Sequence, residues 1–198
     1  MTRKPTLILL LLCMLQLAAC AQQTHQLDTK KSTLKWSTPI GGHKGYLLFN
    51  SGSLLYSTAG QPLSGSFIMD MKSMQNTDDR PEKNKQETDA KLRTPDFFAV
   101  DTYPTSTIIV KKISRIAASN TYRVGGDLTI KGITQPIEFT ATIDKKDNTT
   151  HITADIGILR HLWNIDFKPS NSVELITGLS GKVDGDDIYV ALDLTLVK

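Results

Sequence analysis

The sequence predicts an all-β fold, an antiparallel barrel of about eight strands with a short helical excursion and loop. Apolar and polar residues alternate with period two over long stretches, and residues that favour turns separate these stretches. Such alternation is typical of antiparallel strands that bury one face and expose the other. A closed barrel is the simplest arrangement that buries one face of every strand and leaves no long open edge.

The second half of the chain carries the clearest alternation. Four strands are predicted there, at residues 122–131, 137–144, 151–158 and 187–196. In the first of them the even positions are apolar or small, being Tyr122, Val124, Gly126, Leu128 and Ile130. Residues 132–135 are short enough to form a hairpin between the first two strands.

The N-terminal half is less regular but predicts the same architecture. Its strands are expected at residues 33–36, 45–49, 52–56, 65–71 and 107–113. Turn-forming residues lie at 41–42, 50–52 and 59–62 in this half and at 147–148 in the other.

Residues 75–103 interrupt the alternation. Residues 76–91 are highly charged, which predicts a solvated loop that leads into a helical turn. Phe97 and Phe98 follow Pro95, which keeps Thr94 extended. Two adjacent large rings between polar residues favour a cap, with at least one ring plugging an end of the barrel.

The first twenty residues predict where the protein is held. Arg3 and Lys4 precede an apolar run at 7–15, and LAAC follows at 17–20. This is the layout of a bacterial secretory signal that ends in a lipobox, although an ordinary cleaved signal is the alternative. The run is shorter than the ~20 residues of a transmembrane helix. We therefore expect a signal peptide at 1–19, a tether at 20–31 that is lipidated on Cys20, and a barrel domain at 32–198.

Removal of the signal changes the charge and cysteine content. The net charge falls from +3 to +1 because Arg3 and Lys4 are lost, and a near-neutral chain gives no support to nucleic-acid binding. Cys13 leaves with the signal and Cys20 takes the lipid, so no disulfide is expected. Ala21 after the cysteine favours sorting to the outer membrane.

The motifs of common enzymes are missing from the sequence. It contains no Gly-x-Ser-x-Gly elbow, no P-loop and no His-Glu-x-x-His motif. No cofactor, metal site or enzymatic activity is predicted. The alternative enzyme hypothesis is a periplasmic activity that uses His43, Arg160 and His161.

Several motifs resemble those of the YceI-like family of exported lipid-binding proteins. They are DFFAVDTYPTST at 96–107, VGGDLTIKGITQPI at 124–137, RHLWNI at 160–165, the segment at 34–45 and the segment at 64–71. The resemblance spans residues 32–198. It implies an elongated, lipocalin-like barrel that holds a long amphiphile such as a polyisoprenoid or isoprenoid quinone. Lys91 departs from the family, in which many members have a histidine at that place.

The resulting hypothesis is a membrane-anchored protein that sequesters or transports a polyisoprenoid, an isoprenoid quinone or a fatty-acid-like lipid in the cell envelope. Apolar residues on the predicted inner faces, together with aromatic residues near the ends of strands, are the candidate ligand contacts: Phe67, Met69, Met71, Phe97, Phe98, Leu128, Ile130, Ile137, Phe139, Ile156, Ile158, Trp163, Leu192 and Leu194. A structural or interaction lipoprotein with a solid core is the main alternative. A homodimer is compatible with either hypothesis.

Overall fold

The strands of the protein close into a barrel. The computed structural model describes residues 22–39, 41–165 and 187–198. Its elements in chain order are β1 (Gln23–Leu27), β2 (Thr33–Ser37), β3 (Lys44–Tyr56), β4 (Pro62–Asn76), α1 (Glu82–Arg93), β5 (Thr105–Arg115), β6 (Thr121–Ile130), β7 (Ile133–Lys146), β8 (Thr149–Leu159), a 3-10 helix (Arg160–Trp163) and β9 (Asp187–Val197). No helix among these residues is long and apolar enough to cross a membrane.

All strand pairs are antiparallel. Each strand from β3 to β8 pairs with the next strand in the chain, and one position of the wall remains between β9 and β3. The short strands β1 and β2 together fill that last position. Each pairs with β3 on one side and with β9 on the other. The wall therefore has eight strand positions, which confirms the predicted barrel of about eight strands.

The barrel has two distinct ends. At one end lie the β2–β3 turn, the β4–β5 connection with α1, the β6–β7 turn and the 3-10 helix after β8. We call this end the mouth, and the opposite end, where β3 meets β4 and β7 meets β8, the base. The β6–β7 turn has only two residues, Lys131 and Gly132, both at positive φ. This is the geometry that two-residue hairpins prefer.

The predicted tether is wrong over residues 23–27. These residues form β1, in which Gln23 pairs with Tyr56 and Gln26 pairs with both Ser53 and Val197. His25 and Leu27 point inward and are buried. Two inward side chains are too few to produce a visible alternation, so the strand gave no clear signal in the sequence.

The two strands predicted at 45–49 and 52–56 form the single strand β3. An irregularity in the pairing lies between Phe49 and Ser51, and it adds one residue to β3 relative to β4. A bulge of this kind moves the inward-facing residues from odd to even positions. Leu47 and Phe49 are buried before it, and Leu54 and Tyr56 are buried after it. The turn predicted at 50–52 is wrong, because this change of parity lies within one continuous strand.

The base is closed by packed side chains and a polar network. Leu27, Tyr122 and Leu196 are buried there. The Thr150 hydroxyl lies 2.9 Å from the hydroxyl of Tyr56 and 3.0 Å from Nδ1 of His25. The network ties β1 to β3 and β8 at the point where β1 enters the wall.

The environment of His25 disfavours its charged form. The residue is 0 % exposed, and Nε2 has no hydrogen-bond partner among the described residues. Burial lowers the pKa of His25 below its ordinary value of 6.5, and the positive charges of Lys145 and Lys198 lower it further. The unfolded chain therefore takes up this proton at a higher pH than the folded chain does.

We expect acidification to destabilise the barrel through His25. The free energy of unfolding should fall as the pH drops from about 7.5 to about 5.5, because the unfolded state binds more protons in this range. The His25→Gln variant should lose less stability over the same interval in urea unfolding. His161→Gln, at an exposed histidine, is the matched control. An equal pH dependence in His25→Gln and wild type would contradict this assignment.

Candidate functional site

The barrel interior contains an elongated cavity of about 180 Å³. Inward-facing residues of β2 to β9 line it, together with Leu92, Phe97 and Phe98 of the β4–β5 connection. Apolar side chains make up 31 of the 36 lining residues. The five polar ones are Thr38, His43, Ser106, Arg160 and Asp187, and all five lie at the mouth. The cavity is thus apolar along its length and polar at one end.

Among the described residues, the cavity lining reaches partly exposed polar side chains at the mouth and not at the base. Thr38, His43, Arg160 and Asp187 are each partly exposed. At the base, Leu27, Tyr56, Tyr122 and Leu196 are buried below the cavity and do not line it. A long ligand that enters at the mouth would therefore lie with its far end against a closed floor.

Compact turns after α1 place the two phenylalanines. The Phe97 and Phe98 amides donate to the carbonyls of Thr94 and Leu92, both at 3.1 Å, and Ala99 has a positive φ. Phe97 is buried and Phe98 is partly buried. Lys91 lies at the surface with Nζ 5.6 Å from the centre of the Phe97 ring, so it covers the outer face of this cap.

The helix α1 has no buried residue of its own and is held to the wall at its C-terminal half. The backbone amide of Asn76 donates to the Asp89 carboxylate at 2.7 Å, and the Arg93 guanidinium donates to the Met74 carbonyl at 3.0 Å. Leu92 turns toward the cavity between these two anchors. The charged region at 76–91, predicted as a loop leading into a helical turn, therefore contains most of a three-turn helix.

A buried carboxylate organises the polar side of the mouth. Nδ1 of His43 lies 2.6 Å from the Asp78 carboxylate, which also accepts the Lys44 amide at 2.7 Å. Burial alone would raise the pKa of Asp78, but the hydrogen bonds from His43 and the Lys44 amide outweigh it and hold the pKa below its ordinary value. Arg80 lies 3.8 Å away. His43 is thereby fixed at the rim by an anionic partner.

Thirteen of the fourteen predicted contact residues line the cavity. The exception is Trp163, which was predicted at the mouth or cap. It lies on the 3-10 helix at the mouth, but its indole N–H donates to the Leu128 carbonyl at 3.2 Å and its side chain is 1 % exposed, so it packs against the wall and does not face the cavity. The sequence could not show this because the bond joins the 3-10 helix to a strand 35 residues earlier.

The enzyme hypothesis finds little geometric support. His43 and Arg160 both line the mouth, but His161 is exposed on the 3-10 helix and does not line the cavity. Arg160 donates to the carbonyl of Ile165 at 3.0 Å. Among the described residues, no three His, Cys, Asp or Glu side chains come together as a metal site.

Sequence reasoning missed part of the lining. Inward-facing residues of β2, β3 and β5 line the cavity but were not named, among them Leu34, Trp36, Phe49, Ile108 and Val110. Their period-two spacing was visible in the sequence and would have been enough to include them. Ser106 and Asp187 had no such signal, because each is a lone polar residue at a strand end.

Comparison with known proteins supports the resemblance found in the motifs. The YceI-like domain model matches residues 25–196. No curated protein matches the sequence. Among solved structures, Burkholderia cenocepacia BcnA is similar with a TM-score of 0.66 and 19 % identity, over 85 % of this chain and 98 % of that one.

Two further solved structures have the same fold. One is described as a polyisoprenoid binding domain from Saccharophagus degradans, implicated in plant cell wall breakdown; its TM-score is 0.57 and its identity 16 %, over 87 % of this chain and 97 % of that one. The other is the Campylobacter jejuni YceI protein, with a TM-score of 0.54 and 19 % identity, over 76 % and 82 % of the two chains. The family model covers nearly the whole barrel, and this chain belongs to the YceI-like family.

Proposed function

We propose that this protein binds one long amphiphilic lipid inside its barrel, either a polyisoprenoid, an isoprenoid quinone or a fatty-acid-like molecule, and sequesters or transports it. The observation that carries the proposal is the cavity, which is apolar along its length and polar only at the mouth. A chain-like tail matches the apolar part, and a polar head group matches the rim. A solid-cored structural lipoprotein would not be expected to have this interior.

The size of the cavity suits a chain rather than a bulky molecule. The residues that line the roughly 180 Å³ of free space come from levels of the wall between the mouth and the base, so this space is long and narrow. Each methylene moved from water into an apolar site contributes about 0.8 kcal/mol. Lipid tails gain about as much in a bilayer, so a tail can pass between membrane and cavity without a large change in free energy.

Methionine side chains give the lining some freedom to adapt. Met69, Met71 and Met74 are buried side by side along β4 and line the cavity. The unbranched thioether side chain fills irregular space and changes rotamer at low cost. A flexible isoprenoid or acyl chain is the kind of ligand that such a wall accommodates.

The polar end offers hydrogen bonds to a head group. His43, Arg160 and Thr38 are donors or acceptors on the rim. Deeper in the wall, the Trp36 indole N–H is buried and has no acceptor among the described residues. Buried donors are usually satisfied, so an oxygen atom of a bound amphiphile at this depth would complete the site. The ligand orientation proposed is therefore head group at the mouth and tail toward the base.

The Saccharophagus degradans neighbour supports this ligand class because it is described as a polyisoprenoid binding domain. We do not propose catalysis, because the described polar groups of the rim already have protein partners: His43 bonds to Asp78, and Arg160 donates to the Ile165 carbonyl. A homodimer stays a prediction.

The location of the protein is also part of the proposal. The lipobox at 17–20 supports cleavage before Cys20, attachment of a diacylglyceryl group to its sulfur through a thioether, and acylation of its new amino group. Two or more acyl chains are enough for stable attachment to a bilayer. Ala21 favours the periplasmic face of the outer membrane.

Filling the cavity should abolish lipid binding. In the Ala154→Trp variant an indole would occupy space in the middle of the lining. We expect a dansyl-labelled fatty acid to bind at least tenfold more weakly in fluorescence titration, and menaquinone to compete for it in the wild type. Thr153→Trp, one residue away on the outer face, is the matched control. Circular dichroism melting would verify the fold, and Ala141→Phe is a second blocking variant. Unchanged binding in folded blocking variants would contradict an interior site.

Loss of the acylation site should release the protein from the membrane. We expect Cys20→Ser to move from the membrane pellet to the soluble fraction, because no acyl chain can be attached. Cys13→Ser changes the other cysteine, inside the predicted signal peptide, and should remain in the pellet. Mass spectrometry of the mature N-terminal peptide would identify the acyl chains. A Cys20→Ser protein that stays in the pellet, or an unacylated wild type, would overturn the anchor.

A further inference from the structure

The chain enters the barrel at the base, at the end opposite the mouth. Gln23, the first residue of β1, pairs with Tyr56 at the last position of β3, and Gln26 pairs with Val197 at the last position of β9. The polar lining residues lie at the other ends of these strands, where β3 and β9 begin. The N-terminal end of β1 therefore lies at the base, on the side away from the mouth.

β1 is fixed in the wall, and only two residues separate it from Cys20. It hydrogen-bonds to both neighbouring strands, His25 is 0 % exposed and is joined to Thr150, and Leu27 is buried. Cys20 precedes Gln23 by three residues. Three residues span at most about 11 Å, whereas the twelve-residue tether expected from the sequence would have spanned about 43 Å.

The base is more basic than the mouth. Among the described residues around the base and the adjacent β1–β2 turn, cations outnumber carboxylates: Lys30, Lys31, Arg115, Lys145, Lys146 and Lys198 stand against Asp28, Asp144 and Asp147. In the described part of the mouth, the connections at 77–104, 131–132 and 160–165 carry seven cations and seven carboxylates, and Lys44 and Asp187 at the starts of β3 and β9 add one of each. Lysine and arginine near an anionic leaflet are attracted to it.

We propose that the protein stands with its base on the anionic surface of the membrane that anchors it, so that the cavity opens away from that membrane. This orientation rests on the acylation of Cys20 proposed above. The eleven residues of β8, tilted as barrel strands are, give the wall a height of roughly 30 Å. A free segment of about 11 Å cannot bring the mouth down to the same bilayer while the barrel stays upright.

The orientation determines where lipid is exchanged. A ligand that enters or leaves through the mouth does so at a distance from the anchoring bilayer. Exchange therefore takes place with a second lipid surface or a carrier that approaches the mouth from the opposite side. Helix α1 and the Phe97–Phe98 cap would be the first parts of the protein that it meets.

The orientation can be measured with single fluorescent labels on the mature, lipidated protein in vesicles of phosphatidylglycerol and phosphatidylethanolamine. The sulfur of Cys20 carries lipid, so an engineered cysteine is the only free thiol in the mature chain. Suitable exposed positions are Ala118→Cys at the base, Thr140→Cys in the wall and Glu87→Cys on α1. Quenching by a quencher on the lipid head groups should be strong for Ala118→Cys, weaker for Thr140→Cys and close to zero for Glu87→Cys. A Glu87→Cys label that is quenched as strongly as Ala118→Cys, as in a barrel that lies on its side, would overturn the proposal.

Charge reversal tests the contribution of the basic base. Lys30→Glu with Lys146→Glu should reduce the quenching at Ala118→Cys at least twofold. Lys72→Glu with Lys83→Glu makes the same change of charge nearer the mouth and should leave the quenching of the Ala118→Cys label unaltered. Equal behaviour of the two pairs would overturn the docking of the base on anionic lipid. If the wild-type protein carried no acyl chains, both the anchor and the orientation would be overturned. The proposed ligand binding would still stand if that protein bound lipid in its cavity.

Discussion

The rest of the structure depends on closure of the wall through β1 and β2. These two short strands lie between β3 and β9, which would otherwise be open edges of a curved sheet. Closure brings the inward side chains of all the strands together around one interior, which is apolar except at the mouth. It also fixes the entry of the chain at the base, because β1 can pair with both neighbours only in one direction.

The distribution of polar groups gives the barrel a direction. At the base, polar atoms of His25, Tyr56 and Thr150 bond to one another below the cavity. At the mouth, polar side chains face the cavity, and His43 is held there by Asp78. One end is a sealed floor and the other is a polar rim, which is the arrangement that an amphiphile with one polar end requires. The same direction places a lipid anchor and a ligand opening at opposite ends.

Much of the fold could be predicted from the sequence, because β6 to β9 each contain four or more alternating pairs of residues. The failures have physical causes. β1 buries only His25 and Leu27, and its stability comes from pairing with strands far away in the chain. The bulge after Phe49 reverses the alternation within β3. For the site, the period-two alternation of apolar and polar residues identified inward positions such as Met69 and Leu192. It could not show whether these side chains enclose a cavity, since a barrel with a solid core has the same pattern.

Native mass spectrometry of the mature protein purified from its own membranes tests the central claim most directly. Our account predicts one lipid per chain, retained in the folded protein and released on denaturation, with a mass that identifies a polyisoprenoid, an isoprenoid quinone or a fatty acid. An unliganded mass that neither isoprenoid quinones nor fatty acids shift would contradict lipid binding and leave the cavity without the proposed role.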